Sequence, residues 1–392
     1  MKLLMITSRN IDKSGGENAL IMGRHMALYR EYGIRTDIVF FHKNTSASSK
    51  ITYEGLSFIE CKKDNLYNKI EELLEEGEYQ GIVSSGFYDK EFTQFVIKMK
   101  KKYNVAYFVD IHATIKEIYE YCSRDLYHII GTRYLYLKKK RKFVNALKVA
   151  DYAFVVSNEE IVEINKFLPQ NNIKFLLIRC GCYKNINLKY YMEMRIKQRE
   201  NLKINSETLA FVYSGSKDRW QKFEETKRLF KSIQKLGIKC KFAFYMNLDD
   251  ESQKELYDEF GRENVIIRWV SPEEMKDELM AFDIGMLLRD NKWTNRVAFP
   301  NKYSDYIASG LHLCMSSSII DPYKLSKKYQ LNLLDTSYLL ESIKEIQSER
   351  DNNLEKYIYL CKKMVEKELL YDIQVKEQCK EMSEHMKNIR GV

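Results

Sequence analysis

Residues 3–31 open with Leu3-Leu4-Met5-Ile6-Thr7. They continue through Ser8-Arg9-Asn10-Ile11-Asp12-Lys13-Ser14-Gly15-Gly16 into a helical pattern over Glu17–Glu31. An apolar run of strand length, with no polar alternation, predicts a strand covered on both faces, as in a parallel sheet. The loop then ends in paired glycines at a helix start. Gly15 and Gly16 permit close backbone approach, and the helix N-terminus offers unpaired N–H groups to a phosphate. The spacing is neither G-x-G-x-x-G nor a Walker A loop, because no Gly-Lys-Ser/Thr follows. An ordinary loop with a flexible glycine pair is the alternative reading.

The same alternation runs outward from this unit. In the N-terminal half, strands are expected at Leu3–Thr7, Thr36–Phe41, Gly81–Ser84, Ala106–Ile111, Tyr152–Val156 and Lys174–Ile178. Helical patterns at Glu17–Glu31, Leu66–Glu76, Phe92–Tyr103 and Asn158–Phe167 separate them. Around Asn185–Asn205 the pattern breaks, which reads as a crossing into a second domain. Strands resume at Leu209–Ser214, Lys241–Tyr245, Val265–Arg268, Ile284–Leu288 and Leu311–Met315, with helices at Lys222–Leu236, Pro272–Ala281 and Lys302–Ser309. Ser271, Pro272 and Glu274 form a capping box. From Tyr338 onward the chain reads as helical. The expected fold class is α/β, with two Rossmann-like doubly wound domains facing each other across a cleft. The domains are placed at 1–190 and 206–371, with a terminal helix at about 372–392 able to pack back on the first.

Composition narrows the classes. A chain of 392 residues suits two domains. No apolar stretch approaches the ~20 residues of a membrane span, and the start, MKLLMITSRN, lacks the apolar core of a signal peptide. Lys and Arg total 64 against 55 acids, and a net charge of +9 favours acidic partners. The 8 Cys include no C-x-x-C pair, so reduced thiols, a cytoplasmic setting and no structural metal are expected.

Several residues carry candidate chemistry. His112 follows the strand Ala106–Ile111 at its carboxyl end, where open α/β sheets bind ligands, and a structural His bonding a neighbouring loop is the alternative. Arg133–Lys142 holds six basic residues in ten and continues as an amphipathic helix through Phe143, Ala146 and Leu147. An anionic membrane surface or a plain solvated face fits that pattern, and no nucleic-acid motif accompanies it. Tyr213-Ser214-Gly215-Ser216 runs into Lys217, Arg219 and Lys222, cations at a helix start that fit a diphosphate and equally fit solvent-exposed loop charges. The segment Arg296-Val297-Ala298-Phe299-Pro300-Asn301-Lys302-Tyr303-Ser304-Asp305-Tyr306-Ile307-Ala308-Ser309-Gly310 says most. Pro300 starts a helix, and Lys302 sits in its first turn against the dipole preference, which points to a bound anion. Asp305 lies three residues on, where a carboxylate can accept from ribose hydroxyls. A Lys302–Asp305 surface pair is the structural alternative.

This last segment resembles the donor-binding motif of retaining two-domain (GT-B) glycosyltransferases of the family 4 kind, particularly bacterial surface-polysaccharide enzymes. Their pattern is roughly Pro-x-Lys-x-x-Glu-Tyr-x-Ala-x-Gly. Pro300, Lys302, Tyr306, Ala308 and Gly310 match it, with Asp305 at the Glu position. Gly15-Gly16, the Ala150–Asn158 segment, Tyr213–Ser216 and Ile284–Leu288 also resemble the family.

The resemblance implies a hexosyltransferase-type enzyme. It would move a sugar from a nucleotide-diphosphate sugar to a glycan or lipid-linked acceptor, with retention and without a metal or other cofactor. By resemblance Asp305 holds the ribose, and Lys302 with Arg219 or Lys222 neutralises the diphosphate. His112 lines the sugar and acceptor site, and Gly15 and Gly16 approach the phosphates. Arg296, Pro300 and Gly215 complete the nucleotide-sugar site. Two positions depart from the family: Val297 stands where many members have Glu, and Asp305 is one methylene shorter than Glu. A non-catalytic partner protein of the same fold is therefore the second reading, and a nucleotide-sugar epimerase the third.

Overall fold

The computed structural model describes residues 1–8, 16–42, 53–86, 88–121 and 126–389. The chain divides into two compact units, Met1–Tyr183 with Tyr371–Val392, and Lys184–Leu370.

The first unit is built on seven strands: β1 (Lys2–Thr7), β2 (Arg35–His42), β3 (Leu56–Lys62), β4 (Tyr79–Ser85), β5 (Ala106–Asp110), β6 (Tyr152–Val155) and β7 (Lys174–Leu177). They lie in the order β3-β2-β1-β4-β5-β6-β7. Every ladder is parallel. β4, β5 and β6 are buried along their whole length, which is why each carries an apolar stretch with no outward polar alternation. The strand order reverses between β1 and β4, the place where doubly wound sheets open for ligands.

The second unit holds five parallel strands: β8 (Leu209–Ser214), β9 (Cys240–Tyr245), β10 (Val265–Arg268), β11 (Ile284–Leu287) and β12 (His312–Met315). Their order is β10-β9-β8-β11-β12, with the reversal between β8 and β11. Phe211, Phe230, Phe242, Phe244 and Phe260 pack as one aromatic cluster on this sheet.

Local chemistry starts the helices. Asp89, Ser157 and Asp249 each accept the backbone N–H three residues on. Ser271 is the expected N-cap, with Glu274 N–H donating to its Oγ at 3.3 Å, but the Glu274 carboxylate accepts from the Ser271 hydroxyl at 2.9 Å, where a capping box would have it accept from the backbone N–H.

Among the longer elements, the sequence pattern missed three and misread a fourth. β3 is an edge strand whose only fully buried residue is Leu56, so no apolar run marks it. The helix Asp250–Phe260 buries only Leu256 and Phe260 behind a charged face. Ile320–Lys328 is also helical. The break expected over Asn185–Asn205 is instead a capped helix, Leu188–Asn201. Its Arg195 and Arg199 are buried and grip Asp283, which also accepts the Ala210 N–H at 2.8 Å. Two arginines committed to one buried carboxylate leave the helix without the apolar stripe that sequence reading relies on.

Seven cysteines, Cys61, Cys180, Cys182, Cys240, Cys314, Cys361 and Cys379, are free thiols. Among the described residues no helix is long and apolar enough to cross a membrane.

Candidate nucleotide and sugar sites

β8 delivers the chain to Gly215 at the carboxyl edge of the second sheet. Gly215 has φ +149°, and a Cβ there would strike Lys302 Nζ. The residue just past the strand thus leaves open the space that the lysine head occupies. Lys302 sits in the first turn of the helix Asn301–Ala308, whose N-cap is Pro300 at φ −68° and ψ 138°. Its ammonium donates to Gln221 Oε1 and lies 4.9 Å above the Tyr213 ring. Gln221 is held in turn, its Nε2 donating to Ser216 Oγ at 2.8 Å. Tyr306 locks the same helix to the sheet, because its hydroxyl accepts the Ser214 N–H at 3.1 Å. Gly285 makes room for the Tyr306 ring, which a Cβ would meet at 2.5 Å.

The electrostatics here are unusual. Burial, with the Arg289 guanidinium as a like charge, pulls the Lys302 ammonium well below the ordinary lysine range. Burial likewise pushes the Asp305 carboxyl up to about 7, against the lowering influence of Lys276 and Lys302. Both side chains keep partial access to solvent. A cation and a carboxylate, each held back from full charge one helical turn apart, have more to gain from a ligand than from each other. The Lys302–Asp305 surface pair is not what forms: Lys302 turns to Gln221.

Other expected residues are placed differently. Arg219 is exposed in a short turn, Arg219–Gln221. Lys222 adopts a left-handed backbone, φ 53°, and pairs with Glu225 at 2.9 Å. The Arg296 guanidinium stacks 4.9 Å from the Trp293 ring. Val297 is a core residue, 1% exposed. The residue that touches Lys302 is Gln221, flanked by those cations in sequence. Arg289 follows β11 closely and its N–H donates to Ser316 Oγ at 2.8 Å. Sequence reading missed both. The signal for Arg289 was available: a basic residue just past the strand beside the sheet reversal.

In the first unit His112 lies two residues beyond β5. Its Nε2 is 2.7 Å from Asp110 Oδ2. The same oxygen accepts from Arg24 Nη2 at 2.5 Å. Arg24 and Asp110 side chains are both 0% exposed. Burial alone would raise the Asp110 carboxyl, but Arg24 and His112 outweigh it and hold it well below the usual range. Tyr88, beyond β4, donates its hydroxyl to the Asp110 carbonyl at 2.6 Å. His25, beside Arg24, is lowered to about 3 by burial and by that cation. Gly16 opens the helix Gly16–Tyr32 and is exposed; Gly15 lies outside the described residues. Among the described residues no group of three or more His, Cys, Asp or Glu is placed to hold a metal ion.

Chemically, the second unit offers a recessed ammonium, a neighbouring guanidinium and a poised carboxylate at the carboxyl ends of its strands. That set suits an anion joined to a polyol. The first unit offers an imidazole braced by a buried carboxylate.

No protein-family model matches the sequence, and no curated protein does. Solved structures do match. A glycosyltransferase from Rickettsia africae aligns with TM-score 0.65 at 12% identity, covering 99% of this chain and 98% of that one. Anabaena Alr3699/HepE in complex with UDP and glucose aligns with TM-score 0.63 at 11% identity, covering 98% and 100%. WaaG, a glycosyltransferase involved in lipopolysaccharide biosynthesis, aligns with TM-score 0.62 at 10% identity over the full length of both chains. At such identities the likeness speaks to fold: two parallel-sheet α/β domains of the GT-B glycosyltransferase type.

Proposed function

We propose that the protein is a glycosyltransferase that moves a sugar from a nucleotide-diphosphate sugar to a glycan or lipid-linked acceptor, with retention at the anomeric carbon. The observation that carries this reading is the placement of Lys302, recessed against Gly215 and Gln221 at the carboxyl end of β8. In the reaction the bond from the anomeric carbon to the diphosphate oxygen breaks. The nucleoside diphosphate leaves with the electron pair, a bond forms to the acceptor hydroxyl oxygen, and the proton of that hydroxyl passes to the departing diphosphate oxygen. Negative charge builds on the departing diphosphate, and fixed cations stabilise it at no reorganisation cost. Lys302 and Arg289 supply them, with the exposed Arg219 able to swing in. Asp305 accepts from the ribose, and His112 of the first unit serves the sugar and acceptor. The Asp110–Arg24 pair is its positioning support.

The reaction is proposed to be metal-independent and of the hexosyl type, at the cytoplasmic face of a membrane that the basic Arg133–Lys142 stretch attracts by charge. UDP is the first nucleotide to try, because UDP occupies one of the similar structures. The test is thermal shift plus mass spectrometry with UDP-, GDP-, ADP-, CMP- and TDP-sugars, with and without magnesium. A nucleotide sugar that stabilises the protein and is then consumed, equally in EDTA, supports the reading. Val297 favours one rival, since an apolar core residue replaces the expected donor-sugar carboxylate. Binding without turnover of any donor would make the protein a non-catalytic partner of the same fold.

A further inference from the structure

The helix Leu126–Val149 is anchored at one end and bare at the other. Its C-terminal half buries Phe143, Ala146 and Leu147 in the first unit's core. Its N-terminal half leaves Ile130 61%, Tyr134 69% and Leu137 61% exposed. At roughly 100° per residue these three side chains fall within about 60° of arc, and Phe143, Ala146 and Leu147 fall roughly opposite. The helix thus has two apolar faces, one spent on the core and one with no partner inside the unit. Arg133 and Lys138 flank the outer ridge on either side, and Arg141 continues it; all three are exposed. Every charged residue of this 24-residue helix is basic: Arg133, Lys138, Lys139, Lys140, Arg141, Lys142 and Lys148.

We infer that the Ile130–Tyr134–Leu137 ridge inserts into the interfacial layer of an anionic lipid bilayer, with the flanking Lys and Arg resting on lipid phosphates. An apolar ridge rimmed by cations on a surface helix is the chemistry of interfacial membrane binding. Each basic residue near an anionic leaflet adds attraction that salt screens, and apolar insertion adds a part that salt does not screen. A second copy of the chain suits the ridge less well, because two all-basic faces repel. Nucleic acid suits it less well too, since a phosphate groove gives no place to three apolar side chains on the ridge crest. The inference goes beyond charge attraction by naming the inserting residues, and it does not rest on the sugar-transfer reading.

The experiment uses the full chain with phosphatidylglycerol and phosphatidylcholine vesicles in sedimentation. The native protein binds the anionic vesicles, and a residual part of that binding survives in 0.5 M salt. Ile130→Ser/Tyr134→Ser/Leu137→Ser cuts partitioning at least tenfold and abolishes the salt-resistant part, with unchanged melting temperature. Lys138→Gln/Lys139→Gln/Arg141→Gln removes the salt-sensitive part. Leu137→Trp gains blue-shifted fluorescence quenched by brominated lipid. Equal vesicle binding by the serine variant overturns the inference. So does no binding by the native chain, binding to duplex DNA in place of vesicles, or a dimer that only the serine variant breaks.

Discussion

Gly215 and Lys302 lie 87 positions apart in sequence, yet the missing side chain of one is the space taken by the ammonium of the other. The glycine follows β8 directly, and the lysine belongs to the helix Asn301–Ala308 between β11 and β12. Their juxtaposition spans the point where the strand order reverses.

Gly215→Val should therefore act on Lys302 as well as on the local turn. The valine displaces the ammonium and strains a backbone at φ +149°. We expect nucleotide affinity to fall at least tenfold with the far-ultraviolet circular dichroism spectrum unchanged. Isothermal titration with UDP checks it, and native-like affinity would refute the coupling.

Lys302→Ala should lower turnover at least tenfold, with the fold intact. Lys302→Arg separates charge from shape. Because burial and Arg289 pull the lysine below its ordinary range, nucleotide affinity of the native protein should weaken as pH rises while free lysines stay charged. A guanidinium stays protonated there, so the Arg variant should show a flat profile over the same alkaline range.

Asp305→Asn carries a sign that differs from ordinary active-site loss. The folded carboxyl titrates at about 7 and the unfolded one near 3.8, so the folded state binds the extra proton between these values. Stability from that protonation is complete below the lower value and is lost as pH rises through the upper one. The Asn variant should melt roughly 2–6 °C higher than native at pH 8, with the gap closing at low pH, while nucleotide binding weakens. A variant that is both less stable and less able to bind at pH 8 would contradict this assignment.

Asp110→Ala strands a buried Arg24. Removing one member of a buried ion pair costs about 3–5 kcal/mol, so urea unfolding should reveal an early transition for the first unit. The native pair adds stability present above the unfolded carboxylate pKa and lost only as pH falls below it. Asp110→Asn together with Arg24→Met should recover most of the lost stability yet keep His112 poorly oriented. Its signature is a restored melting temperature with a reduced kcat at unchanged KM for the donor.

Legibility in sequence followed burial. β4, β5, β6 and β8 were plain because both faces are covered and each carries an apolar stretch, with polar residues such as Gln80 and Asp110 confined to the strand ends. β3 was hidden because an edge strand needs no such run. The helix Leu188–Asn201 was hidden because its inward side chains are arginines satisfied by Asp283 and backbone carbonyls. At the candidate site, Lys302 stood out because it breaks the helix-charge rule, and Asp305 because it lies three residues on, at the acidic position of the family pattern. Gln221 breaks none, and only the fold brings it onto Lys302; Arg289 carried one signal, a basic residue just past a strand, that was not used. Arg219 and Lys222 looked equivalent as cations, yet one is exposed and the other pairs with Glu225.

The first unit is discontinuous, and its closing segment comes from the end of the chain. Tyr371 fills the space beside Gly23, Arg30 pairs with Asp372, and the Tyr32 hydroxyl donates to the Lys376 carbonyl at 2.7 Å. On the ribosome, the helix Gly16–Tyr32 emerges more than three hundred residues before the segment that covers it. The first unit must wait, with that face uncovered, through synthesis of the whole second unit. A stalled or prematurely terminated chain would expose a sticky half-domain, and demand for chaperones should peak over that interval of translation.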